Sequence, residues 1–518
     1  MSAHPVAIAV FLVLFVLVSC LGFVANRWRK ADLHSVHEWG LGGRSFGTVI
    51  TWFLLGGDLY TAYTFVAVPA AIFGTGAIGF FAVPFTILIY PILFLCFPRL
   101  WSVARAHGYV TAADYVKGRF GSKTLALAIA LTGLAAIIPY VALQLVGMQV
   151  VFAALGIPSS FAGIPNLPVI IAFGVLAAYT YSSGLRGTAL TAVVKDLLIY
   201  VTVLTAIVVI PAALGGYGKV FASIDPKLVL LAHGASSNSG TSLGATFSYA
   251  SLALGSALAL FLYPHSLTGI LSSSSSGAIR KNAILLPAYS LALALLALLG
   301  FMAIAAGVKA MPEYASGFAG FGNNFAIPAL FLHMFPSWFV GVAFAAIAIG
   351  ALVPASIMAI ASGNLFTRNI YKQFINPGCT DRQEGRAAKL ASAAVKLAAL
   401  LFVLFFPTSA AIQLQLLGGV WIIQTLPAVL ISLYTRWFHP TGLLAGWLAG
   451  VVSGSMMAWQ LSLKSSVYPL HLGSLTIPCY AAVLALLLNI AVAVVVTLVM
   501  NAVSPNQTDE TVPADYLG

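Results

Sequence analysis

The sequence predicts an all-α membrane protein of about thirteen transmembrane helices, built around an inverted five-helix repeat. Three observations predict it. Charge is nearly absent: of 518 residues, 61% are hydrophobic and only 7% are Asp, Glu, Lys or Arg, with a mean hydropathy of +1.01. A soluble domain carries roughly 25% charged residues, so most of this surface must face lipid. The apolar residues gather into thirteen runs, each long enough to cross a hydrocarbon core, which takes about 20 residues. Two of these runs, the second and the seventh, are interrupted by helix-breaking and polar residues. Paired discontinuities five spans apart mark an inverted repeat with a binding site between the broken segments.

The runs lie at 6–26, 47–73, 77–98, 124–155, 168–184, 188–214, 245–270, 283–308, 336–363, 387–407, 409–435, 440–462 and 477–501. The first lacks a basic leader and a small-residue cleavage motif, so it reads as a retained helix rather than a signal peptide. The basic residues check the count. With thirteen spans, eighteen Lys and Arg, including Arg27, Arg29, Lys30, Arg119, Arg368 and Arg436, fall on one side of the membrane. Lys219, Lys227, Lys309 and Lys464 make up the other side. Basic links stay cytoplasmic, which predicts a bacterial inner-membrane protein with its N-terminus outside and its C-terminus in the cytoplasm. One missed helix would scramble that division.

The same distribution explains the net charge of +12. The basic residues are spread over short links and form no patch or stripe, so the expected partner is a lipid bilayer and not a nucleic acid. The four cysteines show no metal-ligand or disulfide spacing. With no nucleophile motif, metal cluster or cofactor loop, the sequence predicts neither an enzyme nor a cofactor. Residues 1–518 read as one transporter domain. Its core helices lie at about 47–435, its peripheral helices at 6–26, 440–462 and 477–501, and a short acidic tail at 504–518 is expected to be mobile. In the 309–335 link, the apolar piece Ala326 to Phe335 is expected as a short interfacial helix.

Function is sought where a span breaks the rules of lipid. The second span carries Gly56-Gly57-Asp58 followed by Tyr60 and Thr61. Paired glycines weaken a helix, and an unwound turn offers carbonyls and amides to an ion or a carboxylate. The sixth span carries Lys195-Asp196 nearly two turns from its cytoplasmic end. On position alone Lys195 has two readings: a side chain snorkelling to the interface, or a buried ammonium facing the bundle. The seventh span ends in Tyr263-Pro264-His265, where Pro264 frees a carbonyl and the lone histidine reads as structural. The ninth carries Val353-Pro354, another local break. Lys396, in the tenth, is expected to snorkel.

With these residues in place, the chain resembles the sodium/solute symporter family from the second span to the twelfth. The residues that carry the resemblance are Gly42 to Gly47, Gly56-Gly57-Asp58, Val110 to Gly121, Gln144, Gly184 to Gly187, Tyr263-Pro264-His265, Leu365 to Lys372 and Gln424 to Pro427. The stretches around Asp58 and His265 look most like its bacterial monocarboxylate permease branch. The resemblance implies a core of the amino-acid/sodium symporter type, alternating access, and a pocket near spans 2, 4, 7 and 11. It also implies a sodium site made from carbonyls of the second span and a Ser/Thr pair on the ninth. Here that pair falls on Val353 and Pro354, and the supporting carboxylate of the sixth span falls on Ala192, so three sodium ligands are missing. Lys195 lies one turn from Ala192 on the same face. The expectation is that its ammonium replaces sodium against the carbonyls of the second span. An ammonium held away from water can lose and regain a proton, so coupling to protons is expected. Asp58 is the second candidate proton carrier, or the partner of Lys195.

The expected substrate is a small anion such as pyruvate, lactate or acetate. Gly56, Gly57, Tyr60, Thr61, Gln144 and Tyr263 are the candidate contacts; few polar groups mean a small solute. A sodium-coupled symporter of an amino acid or similar solute, and an uncoupled facilitator or channel, are the competing readings. Accumulation against a gradient separates the last.

Overall fold

The computed structural model describes residues 4–24, 34–161, 164–231, 242–405, 411–473, 475–504 and 508–517. Arg27, Arg29 and Lys30, counted above for topology, lie outside the described residues. So do the links at 232–241 and 406–410.

The chain opens with α1 (Pro5–Val24), then a short α2 (Val36–Leu41) whose first turn is capped by Ser35. The second expected span is two helices, α3 (Thr48–Leu59) and α4 (Val68–Thr75), joined through a break at Tyr60 and a π-turn at Tyr63–Ala67. It is followed by α5 (Pro84–Ala106), the short α6 (Ala112–Phe120) and the 32-residue α7 (Lys123–Ala154). A two-residue ladder, β1 (Ser160–Phe161) and β2 (Ile164–Pro165), leads into α8 (Leu167–Ala213). This helix is really two, because Gly184 takes φ 58°, ψ −151°. Only glycine takes that conformation cheaply, which divides the fifth expected span from the sixth. Two short helices, α9 (Tyr217–Ala222) and α10 (Pro226–Val229), follow on the link after α8.

The second half repeats the plan. A broken span comes first, α11 (Ser242–Leu260) and α12 (Pro264–Leu271), bent by 48°. Pro264 sits at the first position of α12, where its missing N–H costs nothing. Then come α13 (Ser276–Leu285) and α14 (Pro287–Ala305), the small α15 (Ala315–Phe321) and α16 (Ala326–Met334), and the 30-residue α17 (Ser337–Phe366). The last core elements are α18 (Asp381–Phe405), α19 (Ala411–Ile422) and α20 (Leu426–Val429). The long third helices, α7 and α17, pack against each other at the centre, and the apolar stretch of α17 is wholly enclosed by protein. By contrast α21 (Pro440–Gln460) and α22 (Ala481–Val503) pair at the margin. Between them stands a hairpin, β3 (Val467–Leu472) and β4 (Leu475–Tyr480), which the apolar pattern did not foretell.

Ten helices among the described residues are long and apolar enough to cross a membrane, or eleven with the bent pair counted as one; Thr48–Leu59 and Leu167–Ala178 are shorter apolar helices. Broken spans divide what the sequence shows as single apolar runs, so the count of thirteen rests on the sequence.

Four expectations are corrected. The second span unwinds at Tyr60–Thr61 and not at Gly56-Gly57, which stay helical. The segment Ala326–Met334 is a helix, but its body is buried against α4, α7, α14 and α17 rather than lying at the interface. Lys396 does not snorkel; it is buried in α18. The tail is docked: Asp509 pairs with Arg119, Asp515 lies 2.8 Å from His107 Nε2, and Tyr516 is buried. An acidic segment beside the basic link ends has partners within reach, which composition alone does not reveal.

Candidate functional site

Unwinding α3 from α4 frees backbone groups that lipid would not satisfy. The ends of the break are met one by one. Ala62 N–H donates to Gln144 Oε1 at 3.0 Å, and Tyr63 N–H donates to Thr61 Oγ1 at 3.0 Å. Thr64 Oγ1 donates to the Leu59 carbonyl. The carbonyls of Gly57 and Tyr60 are taken by Lys195, whose Nζ donates to them at 2.5 and 3.0 Å. Its third partner is Asp196 Oδ1, in an ion pair at 3.0 Å. An ammonium has three N–H donors and no acceptor; here two go to carbonyls, and Asp196 Oδ1 stands at ion-pair distance without a hydrogen bond. Both side chains of the pair are fully enclosed. Asp196 Oδ2 also accepts from Tyr289 Oη at 2.7 Å.

Gly57 is required by this approach: a Cβ there would stand 2.9 Å from Lys195 Nζ. A Cβ at Gly56 would run into the Tyr289 ring. So the glycine pair admits the lysine and a tyrosine instead of unwinding the helix. Tyr60 is buried, donates to the Tyr289 carbonyl at 3.1 Å, and packs its ring on Tyr200 and Tyr289.

Ala192 is buried one turn before Lys195. Val353 and Pro354 are buried on α17, and Val353 lines a small void with Thr191. Gly350, one turn before Pro354, brings α17 beside the Tyr60 carbonyl, which would lie 4.0 Å from a Cβ there. The helix face next to the ammonium therefore carries no hydroxyl at the two positions expected to hold sodium. The nearest hydroxyl on that helix in sequence, Ser356, is bound to Thr180 Oγ1 and Thr188 Oγ1 at 2.7 and 3.0 Å.

Gln144 is occupied at both ends, since its Nε2 donates to the Tyr140 carbonyl at 3.3 Å. Tyr263 donates to the Gln415 carbonyl at 3.0 Å. Asp58 is not the partner of Lys195: its Oδ2 accepts from Ser266 Oγ at 2.6 Å, and its Oδ1 lies 3.3 Å from His265 Nε2. His265 stands in the motif already singled out and Ser266 follows it directly, but Tyr289 carried no signal. It is one aromatic in an apolar span, and only packing brings it to the lysine.

Two hollows flank the breaks. On the face of the β3–β4 hairpin, a cavity of about 410 Å³ is lined by Ala67, Ala70, Ser248, Leu416, Val467 and Pro478, among others. On the opposite face, which carries the tail, a void of about 20 Å³ reaches Pro264, Thr268 and Thr111. The tail face is braced across the two halves. Thr111 and Asp114 form a capping box on α6; Asp114 receives Arg368 at 3.2 Å and Asn369 at 2.8 Å, and Arg368 and Lys372 both reach Glu384.

The model described as the sodium:solute symporter family matches residues 39–450. A protein of Rhizobium johnstonii named as a monocarboxylate transport permease is 52% identical over 503 residues, covering 96% of this chain and 98% of its own. The Bacillus subtilis protein YodF, named as an uncharacterised symporter, is 36% identical over 463 residues, covering 86% and 87%. Among solved structures, the substrate-bound outward-open state of a Na+-coupled sialic acid symporter superposes with a TM-score of 0.73 at 15% identity, over 97% of this chain and 99% of the other. At that identity the likeness speaks to the fold.

Proposed function

The chain belongs to the sodium:solute symporter family, and from this premise we propose that it imports a short monocarboxylate by proton-coupled alternating access, with the Lys195 ammonium in the place of sodium. The observation that carries the reading is the lysine itself, clasped by the carbonyls of Gly57 and Tyr60 at the break. A cation there holds α3, α8 and the unwound turn together. Loss of its proton removes the charge that pairs with Asp196 and leaves two donors for three partners, which loosens the turn from α8 and links protonation to the exposure of the site. Val353, Pro354 and Ala192 offer sodium no side-chain ligand, and the Ser356 hydroxyl is engaged elsewhere.

The substrate class draws on the relative named as a monocarboxylate transport permease. The hairpin face is the outer, periplasmic side in this reading, with the tail in the cytoplasm of a bacterium. A sodium-coupled cycle is the second reading, and the description of the matching family, sodium:solute symporter, favours it. One assay separates them: uptake of labelled lactate into proteoliposomes in sodium-free buffer. An inward proton gradient is expected to drive accumulation, and Lys195→Ala to abolish it. Strict sodium dependence, or full coupled uptake by Lys195→Ala, would sink the proposal.

A further inference from the structure

A second ionisable pair lies at the same breaks and takes no part in the lysine clasp. Asp58 is on the last turn of α3, and His265 is the second residue of α12. They meet at 3.3 Å, Oδ1 to Nε2. His265 is 1% exposed and Asp58 5%, yet Asp58 Oδ1 and both ring nitrogens of His265 have no hydrogen bond. Buried polar atoms are nearly always paired, and an unpaired one asks for an explanation. The surroundings supply none. The ring packs edge-on against Tyr140 and tilted against Tyr263, each with centroids 5.3 Å away. The neighbouring α17 has no ionisable side chain. On α2, Glu38 pairs with Arg186, and His37 accepts from Arg44. On α5, Tyr90 bonds Ser290, Arg99 bonds the Leu433 carbonyl and Arg105 lies over Trp101, while Cys96 is half-buried. Asp58 is the charged group that faces the ring.

The residues just before His265 reach toward both hollows. Its neighbour Pro264 lines the void on the tail face, while Tyr263 reaches the α19 backbone below Leu416, which lines the large cavity.

Charge counting gives the pair a task. With a neutral ring, Lys195, Asp196 and Asp58 sum to one negative charge. An entering monocarboxylate adds another, and uncompensated charges are costly in a low-dielectric interior. A proton taken up from water onto the imidazole cancels the addition. An imidazolium donates from both nitrogens, so Nε2–H closes on Asp58 and Nδ1–H is left for the carboxylate. The positive end of α12 lies beside it. We propose that His265, held by Asp58, is the residue that recognises the substrate carboxylate, and that it binds a proton together with each monocarboxylate. This rests on the monocarboxylate reading above but not on the role of Lys195.

The test is proton uptake on binding. Full-length protein in weakly buffered detergent solution is titrated with lactate while a pH indicator counts protons and calorimetry reports affinity. The wild type is expected to take up about one proton per lactate and to bind more tightly as pH falls. His265→Gln is expected to lose both the uptake and the pH dependence, with affinity lowered about ten- to hundredfold, the value of a hydrogen bond to a charged group. Ser266→Ala leaves Asp58 to His265 alone and is expected to move the pH midpoint of binding. Wild-type binding without proton uptake overturns the inference whatever the variants do. A stable His265→Gln protein with wild-type affinity and proton count overturns it too. If the wild type binds none of acetate, lactate or pyruvate, the monocarboxylate reading falls and takes the inference with it. Strict sodium dependence of transport with the proton count intact removes the lysine reading alone.

Discussion

A single lysine and two carbonyls define the chemistry of the broken second span. Removing one member of a buried, paired set costs roughly 3–5 kcal/mol, because the partners stay behind unpaired. Lys195→Ala is therefore expected to lower the melting temperature measured in detergent, and sodium is not expected to restore it, since Ala192, Val353 and Pro354 supply no ligand. Restoration by sodium would refute the account of those three positions. Gln144 makes a milder case. Gln144→Leu leaves the Ala62 N–H without its acceptor, a loss of about 1–3 kcal/mol, and thermal unfolding would register it. At this scale the sequence was partly legible. Asp58 and Lys195 announce themselves because a charge in an apolar span is expensive. Their partners do not: whether Lys195 meets Asp58, Asp196 or the interface depends on the angle between α3 and α8.

Among the elements, α21 and α22 show the plainest link from sequence to packing. Gly442, Gly446, Gly450 and Gly454 form a stripe at four-residue spacing on one face of α21. Small residues let membrane helices approach closely. A Cβ at Gly446 would stand 2.5 Å from the Asn489 carbonyl and 2.7 Å from Ala493 Cβ. Gly446→Leu is expected to separate the pair and destabilise the protein by about 1–3 kcal/mol or more, as overpacking does; Gly218→Leu, at an open position in α9, is expected to have little effect. Unchanged melting of the Gly446 variant would argue against this packing. Apolar run length located most spans. It misplaced the unwound turn, because glycines in a row can equally admit a neighbouring side chain, and Gly56-Gly57 do so. The β3–β4 hairpin was missed because the apolar run from 477 absorbs most of its second strand, although Gly473-Ser474 between the strands is a two-residue hairpin signal.

For the whole molecule, the tail is the testable feature. Asp509 joins Arg119 and lies 3.7 Å from Arg436, and Asp515 joins His107. The carboxyl of Asp515 is held below the usual carboxylate value, first by its hydrogen bond with His107 and then by the Val512 amide. A group lowered in the folded state stabilises docking above its unfolded value, about 3.9, and loses that contribution as pH falls through the lowered value. Hydrogen exchange over residues 508–517 is expected to stay slow down to about pH 4 and to quicken below it. Asp515→Asn is expected to exchange faster at neutral pH and to lose part of the acid transition; a tail that exchanges freely at pH 7 would contradict the docked arrangement.

The sequence by itself determined the solvent, the approximate spans, the family resemblance and which helices break the rules of lipid. These follow from composition, run length and the cost of charge in an apolar run, all local quantities. The tertiary structure decided which polar groups meet. Lys195 on the carbonyls of Gly57 and Tyr60, Asp58 against His265, Asp114 to Arg368 and the tail on Arg119 join residues far apart in the chain. Each pairing is set by how helices cross, and a hydrogen bond fails within a fraction of an ångström.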